Sequence, residues 1–376
     1  MATTTMTHPS SGTHPSSTVP TTLTGVIGGV DTHRDTHTAA ALDTTGHLHG
    51  SATFPATTAG YHQLLTWLRA FGPLEAIGVE GTGAYGAGLA RYLHSQAITV
   101  YEVNRPSRRT RRTRGKSDPI DAESAARAAL ARDTDRISTP KHSTGATEAV
   151  RALRVARRSA VQARTIIQHQ IHALLVNAPE QVRAPLHGLP MSRLISTAAA
   201  DDPAALTPPA GQGDPAAATR LALHHLARRY QHLAGEIAEL DTVITGLLEQ
   251  INPALTALLG VGPDCAGQLL ITAGDNPDRL RSQASFAHLC GVAPIPASSG
   301  LTHRHRLNRG GDRQANAALY RIVLTRLRFD QRTRDYLARR TGEGLSKKDV
   351  IRCLKRYVAR EVYTALTGTN IAQSGT

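Results

Sequence analysis

Two periods of apolar and polar positions run along this chain. Val26–Val30 is a short apolar run ending at Asp31, and Thr38–Leu42 is a second, followed by the turn residues Thr44, Thr45 and Gly46. Together they predict a hairpin that opens a sheet. Tyr61, Leu64, Leu65 and Leu68 then recur at helical spacing between Gly60 and Ala70. Ala76–Val79 reads as a buried strand ending in Glu80, Gly88–His94 as a helix, and Ile98–Val103 as the next strand. A hairpin followed by strand–helix alternation predicts an α/β domain with a mixed sheet.

The helical period dominates afterwards. A helix is predicted from about Asp118 to Arg132, and a long one over 147–176, with a stripe through Leu153, Ala156, Ala160, Ala163, Ile167, Ile171 and Leu174. A Pro- and Gly-rich break covers 201–215. Beyond it Leu223, Leu226, Tyr230, Leu233, Ile237, Leu240, Ile244, Leu247 and Ile251 alternate steps of three and four, which is the seam of a coiled coil. Partners within one chain and between protomers both fit that seam. Leu258–Pro263 lies between two helical patterns and has the composition of a helix-hairpin-helix turn. Gly260 and Gly262 would there offer backbone N–H groups to a phosphate, although an ordinary tight turn has the same residues. From Ser285 to about Thr367 the chain is mostly helical and basic. The expected division is a Thr-, Ser- and Pro-rich unstructured tail at 1–24, an α/β domain at 25–145, a coiled-coil helical segment at 146–251, a helical C-terminal domain at 252–367 and a tail at 368–376.

Charge narrows the function. The 376 residues carry a formal net charge of +14, with 40% apolar but only 4% aromatic residues, so the core is built from Ala, Leu, Val and Ile. Arg105, Arg108, Arg109, Arg111, Arg112, Arg114 and Lys116 stand in a stretch without one acid, which would repel itself without a polyanion nearby. Nucleic acid is the partner this implies. Cys265, Cys290 and Cys353 are too dispersed for a disulfide framework or a zinc knuckle, which suits a reducing cytoplasm. No apolar run reaches the roughly 18 residues of a membrane span, so no membrane partner is expected.

Four acids stand where chemistry is expected. Asp31 and Glu80 each end a predicted buried strand, and Asp118 and Asp121 project from one face at the start of a helix. Gathered carboxylates repel unless a hard divalent cation neutralises them. Mg²⁺, or Mn²⁺ in its place, suits all-oxygen ligands and supports phosphodiester cleavage. Other roles exist for the same residues. Asp118 before Pro119 fits an N-cap, Asp121 complements a helix dipole, and His33, Asp35 and His37 beside Asp31 offer a rival metal set.

Sequence motifs favour the four acids. Gly28-Gly29-Val30-Asp31, Val79-Glu80-Gly81-Thr82-Gly83-Ala84-Tyr85 and Lys116-Ser117-Asp118-Pro119-Ile120-Asp121-Ala122 occur in order. So, later, do Phe286-Ala287-His288-Leu289-Cys290-Gly291-Val292-Ala293-Pro294, Ser298-Ser299-Gly300 and His303-Arg304-His305-Arg306-Leu307-Asn308-Arg309-Gly310-Gly311-Asp312. The chain from 25 to about 367 thereby resembles the DEDD transposases of bacterial insertion sequences of the IS-one-ten family, which are themselves similar to pilin-gene invertases.

The resemblance implies a ribonuclease-H-like (RuvC-like) mixed-sheet domain with Asp31, Glu80, Asp118 and Asp121 as its catalytic, metal-holding acids, and a C-terminal transposase domain. It also implies that Ser299 is the nucleophile, with Ser298 adjoining. Arg304, Arg306, Arg309 and Arg313 surround that serine and suit the scissile phosphate and its developing charge. His303 and His305 fit either acid–base groups or further phosphate contacts, the second being the expectation. The expected function is Mg²⁺-dependent cleavage and exchange of donor and target DNA, guided by a noncoding bridge RNA. Homodimers or homotetramers with composite sites are expected. The rivals are a site-specific invertase, a RuvC-like structure-selective nuclease that uses the acids and water, and a non-catalytic nucleic-acid-binding protein.

Overall fold

All of Val26–Thr32 is buried, which makes this strand (β1) the middle of a sheet rather than an edge. β2 (Thr36–Asp43) pairs with it antiparallel, and β3 (Leu48–Pro55) pairs antiparallel with β2. On the other side β4 (Leu74–Glu80) runs parallel to β1, β5 (Val100–Val103) runs parallel to β4, and β6 (Ile137–Ser138) closes the edge antiparallel. The order is β3-β2-β1-β4-β5-β6. The hairpin, the first helix and both parallel strands stand where the apolar pattern put them; β3 and β6 were not anticipated. The computed structural model describes residues 25–104, 117–134, 136–206, 213–298, 300 and 305–371, and these divide into two units between Pro140 and Lys141.

Period-two alternation decides what each sheet face meets. On one face α1 (Thr58–Arg69) and α2 (Ala87–Ser95) pack Leu64, Leu65, Leu68, Leu89 and Leu93 onto Val26, Val30, Ile77 and Val79. On the other, α3 (Asp118–Leu130) lays Ala122, Ala125, Ala126 and Ala129 against β1 and β4. It approaches so closely that a Cβ on Gly29 would lie 2.2 Å from the Ala122 oxygen, and one on Gly78 would lie 2.5 Å from the Ala125 oxygen. Backbone thus rests on backbone, which glycine in the strands and alanine in the helix permit.

The second unit is helical. α4 (Gly145–Val176) is followed by three short helices, α5 (Glu180–Leu186), α6 (Met191–Ala200) and α7 (Pro203–Leu206), and returns as α8 (Pro215–Ile251). α4 and α8 are antiparallel: Ile167 and Ile171 share a core with Leu223 and Ala227, whereas Val150 shares one with Ile244 and Leu248. Within this chain, then, the α8 seam faces α4. Asp241 of α8 is held bidentately by Arg157 of α4. Another edge of α4 is uncovered among the described residues. Val155, Ile166 and Val176 are exposed along it, with exposed Ser159, Gln162, His169 and Ala173 between them, and the seven positions alternate steps of four and three.

Then come α9 (Pro253–Thr256), α10 (Pro263–Ala273), a 3₁₀ turn at Pro277–Arg279, and α11 (Gln283–Leu289). A small hairpin of β7 (Ile295–Pro296) and β8 (His305–Arg306) precedes α12 (Arg313–Phe329), α13 (Gln331–Gly342) and α14 (Lys347–Ile371). Their core joins Leu255, Leu269, Phe286, Leu319, Ile322, Val350 and Val362 to the base of the long pair. Asp264, at the start of α10, accepts from Arg154 and Arg321 at 2.7 Å, so three helices share one carboxylate. Mixed sheet first and helices afterwards are consistent with the expected ribonuclease-H-like α/β domain and helical C-terminal part. Among the described residues no helix is long and apolar enough to cross a membrane.

Candidate active site

Strand parity places the first acids. Asp31 lies two residues after Gly29 and Glu80 two after Gly78, so both occupy the sheet face that carries α3. They sit at adjacent ends of parallel strands, one position beyond the Val30–Val79 pair. Thr32 joins those ends by donating its hydroxyl to the Glu80 carbonyl at 2.7 Å. Both acids are buried, Asp31 at 8% and Glu80 at 9% exposure.

α3 begins at this same edge. Pro119 suits its first turn, which carries Asp118 and Asp121, while Ser117 takes the extended N-cap conformation without a side-chain cap bond. The close seat of Ala122 and Ala126 on Gly29 aims the acidic first turn at Asp31. His33, in the turn between β1 and β2, completes the cluster. Its Nε2 lies 3.1 Å from Asp31 Oδ2 and 3.3 Å from Asp118 Oδ1. Ligand atoms of Asp31, His33 and Asp118 all fall within 4.8 Å of one another.

Burial pushes the Asp31 carboxyl above its ordinary range. His33 acts against the shift, while the charges of Asp121 and Asp118 reinforce it. Two carboxylates and an imidazole held this closely fit a divalent cation, whose charge would relieve the repulsion. The structure therefore brings Asp31 and Asp118 together directly, with Asp121 in electrostatic range. Glu80 is next to Asp31 by strand register but lies outside that three-residue ligand set.

The rival set at the hairpin separates. Asp35 is exposed and lies 3.6 Å from Arg34. His37 is fully buried, with its ring stacked on Tyr61 and its Nδ1 3.0 Å from the Thr36 oxygen. Only His33 of the three reaches the acids. The sequence offers it as one member of the rival set with Asp35 and His37; what singles it out is its place two residues after Asp31, just before the chain reverses.

In the second unit, Leu258–Pro263 forms the turn between α9 and α10. Gly260 has φ +77° and packs on α12 at Ile322 and Arg326, and the Val261 N–H is used by the Leu258 oxygen. Gly262 is exposed at the N-cap of α10. Arg306 on β8, Arg309 after it and Arg313 at the start of α12 are exposed, and none is within ion-pair distance of a carboxylate among the described residues. Asp312 fixes that start. It caps α12 through the N–H groups of Gln314 and Ala315 and accepts from the Thr272 hydroxyl at 2.7 Å. Close by, a Cβ on Gly311 would meet Gly291 nitrogen at 2.2 Å, so the segment after β8 lies directly on the end of α11. The expected nucleophile Ser299, Arg304 and the basic run Arg105, Arg108, Arg109, Arg111, Arg112, Arg114 and Lys116 lie outside the described residues.

Comparison with known proteins adds matches in both units. Residues 28–178 match a DEDD-type family model of the IS110 group described as "Transposase". Residues 252–338 match another described as "Transposase IS116/IS110/IS902 family". A similar protein is the "Insertion element IS110 uncharacterized 43.6 kDa protein" of Streptomyces coelicolor (strain ATCC BAA-471 / A3(2) / M145). It is 32% identical over 120 residues, covering 31% of this chain and 29% of the relative's length.

Proposed function

Because this chain belongs to the IS110 family of transposases, we propose that it cleaves and rejoins donor and target DNA to move an insertion sequence. The observation that carries the proposal is the convergence of Asp31, from the end of a central strand, with Asp118, from the start of the helix seated on that strand. Two acids far apart in sequence, one of them buried and raised in pKa, are held together at the C-terminal end of a central strand.

A divalent cation, Mg²⁺ or Mn²⁺, when bound there neutralises the carboxylates and polarises a phosphate oxygen. Asp31 and Asp118 with His33 would hold it, and Glu80 and Asp121 would complete the acidic face. Ser299 is the proposed nucleophile: its Oγ forms a bond to phosphorus as the bond to a deoxyribose oxygen breaks. The proton that serine loses is balanced by the one the departing hydroxyl gains. In the second step a hydroxyl of another strand end attacks the phosphoserine, joins the strands and restores the serine, so no external energy source is consumed. Arg304, Arg306, Arg309 and Arg313 would bind the phosphate, while the 105–116 run, Gly260 and Gly262 would hold the DNA backbone. Guidance by a noncoding bridge RNA and assembly as a dimer or tetramer belong to the same reading. The exposed α4 edge supports assembly. Its spacing is that of a heptad seam, and a second helix laid along it would bury Val155, Ile166 and Val176 while Ser159, Gln162 and His169 set the register.

The test combines purified protein, Mg²⁺, a candidate bridge RNA and paired donor and target duplexes. Wild type is expected to give a denaturation-resistant protein–DNA adduct and joined product, and Ser299→Ala neither. Cleavage by Ser299→Ala without an adduct would replace the recombinase with a nuclease that uses water. An adduct that disappears only with Ser298→Ala would move the nucleophile by one residue. Recombination without RNA would remove the guide. Asp31→Asn and Asp118→Asn are expected to abolish all products.

A further inference from the structure

The second unit contains a cavity that the transposase reading does not use. It measures about 1190 Å³ and lies among α12, α13 and α14. Val323, Leu354 and Val358 supply its apolar lining, with Leu259 from the α9–α10 turn. Buried Arg326 fixes one wall by donating to the Leu259 carbonyl at 2.8 Å and pairing with Glu361 at 2.7 Å.

Aromatic and cationic groups are interleaved on the other walls. Tyr336 and Tyr357 meet edge to face with centroids 5.6 Å apart. The Arg339 guanidinium lies over the Tyr336 ring at 5.4 Å, and that of Arg360 lies over the Tyr357 ring at 5.7 Å. The acids nearby are largely engaged: Glu361 with Arg326, Asp330 as the cap of α13 through Thr333, and Asp335 with Gln331. Among the described residues neither Arg332 nor Arg360 is within ion-pair distance of a carboxylate.

A second observation points the same way. Aromatic residues are scarce in this chain, yet Tyr320, Phe329 and Tyr357 are all conspicuously exposed on these helices, and Arg328 lies 5.2 Å from the centre of the Phe329 ring. A basic surface that only grips duplex phosphates gains nothing from exposed rings, because stacked bases hide their faces. An unpaired base presents both faces and stacks on a ring or on a guanidinium plane, while adjacent arginines take its phosphates. The volume also exceeds what one small ligand needs, roughly 300–1,000 Å³, and suits a run of nucleotides.

We propose that this cavity binds single-stranded nucleic acid, with Tyr336 and Tyr357 as stacking platforms and Arg332, Arg339 and Arg360 as phosphate and base contacts. The inference rests on the nucleic-acid reading of the chain but not on its cleavage chemistry. It gives the C-terminal helices a strand to hold while duplexes are opened.

The experiment measures fluorescence anisotropy of labelled dT₂₀, rU₂₀ and a 20-bp duplex with the full chain in EDTA, so that no strand is cut. Tyr357→Ala is expected to weaken binding of dT₂₀, rU₂₀ or both by about 5- to 100-fold, with duplex affinity held within about twofold. Tyr357→Phe should stay near wild type, because it keeps the ring, and Arg360→Ala should weaken single-strand binding alone. The preferred single strand reports the sugar. Tyr357 is 45% exposed, so loss of its ring leaves the core intact, which a melting curve verifies. Unchanged single-strand affinity in Tyr357→Ala and Arg360→Ala, or equal losses on duplex, overturns the site while the nucleic-acid reading stands. Failure of wild type to bind any of the three overturns both.

Discussion

Gly29→Ala probes how the acids are brought together. The added carbon would lie 2.2 Å from both Ala122 oxygen and Ala126 nitrogen, and 2.7 Å from Ala126 Cα. These are backbone atoms of α3, so no rotamer change relieves the clash, and the helix must withdraw by roughly 1 Å to reach ordinary contact distance. Overpacking of this kind costs about 1–3 kcal/mol, and each kcal/mol lowers Tm by roughly 4–8 °C in a domain near 100 residues. The withdrawal also carries Asp118 away from Asp31. Circular dichroism melting should therefore show a drop of about 5–20 °C. Calorimetric titration with Mn²⁺ should show affinity weakened by at least about tenfold, as happens when the support of a metal ligand is lost. Gly50→Ala, where an added carbon meets nothing within 4 Å, is the matched control. A Gly29→Ala protein that melts and binds Mn²⁺ like the control would refute the idea that the seat of α3 sets the acidic cluster.

Other residues give independent tests. His33→Ala is expected to reduce Mn²⁺ affinity by about tenfold and Glu80→Gln by less, read by the same titration; the reverse order would remove His33 from the ligand set. At Asp264 burial opposes the charge, but the Arg154 hydrogen bond and the nearby guanidiniums of Arg154, Arg321 and Arg157 outweigh it and hold the carboxyl below its ordinary range. Its stabilising contribution is thus complete above about pH 4 and lost as pH falls through the lowered folded-state value. Asp264→Asn should lose about 1–3 kcal/mol at pH 7 and show a shallower acid limb in urea melts from pH 7 to 3. Asp312→Ala removes the α12 cap and the Thr272 bond, and equilibrium unfolding should register a loss of about 1–2 kcal/mol. Ile166→Glu, on the exposed α4 edge, should shift sedimentation toward monomer with little change in Tm; an unaltered sedimentation profile would put the protomer contact elsewhere.

How legible this structure was in its sequence varied with the kind of force holding each part. The β1–β2 hairpin, β4 and the two long helices announce themselves because their apolar periods are long and bury a face. β3 is fainter, since the positions that alternate with its polar residues are weak: Leu48 is exposed, Gly50 and Ala52 are small, and only Phe54 is a large apolar side chain that packs in part. α5 to α7 are short and follow no sustained stripe. At the site, Asp31 and Glu80 were readable as strand-end acids, and Asp118 and Asp121 as one helical turn. That Asp31 and Asp118 meet followed from the family motifs and not from the apolar pattern, because their approach depends on two glycines whose role is to be absent from the space a helix fills. His33 was marked only as part of a rival set with Asp35 and His37, and it is the fold of the hairpin that parts it from those two and turns it toward Asp31 and Asp118. The Tyr336–Tyr357 pair was equally unreadable, because α13 and α14 meet through tertiary packing that no local period encodes.

The long pair of α4 and α8 is held by two separate cores, one near Ile171 and Leu223 and one near Val150 and Leu248. Between them the helices run as a plain antiparallel rod. Such a rod is a ruler. Seven residues inserted into both helices at matched heights would keep the seam in phase and move the tip outward by roughly 10 Å, leaving each core with its own neighbours. The distance from the base of the second unit to its tip is thus a quantity the chain can alter in fixed steps without redesigning either end.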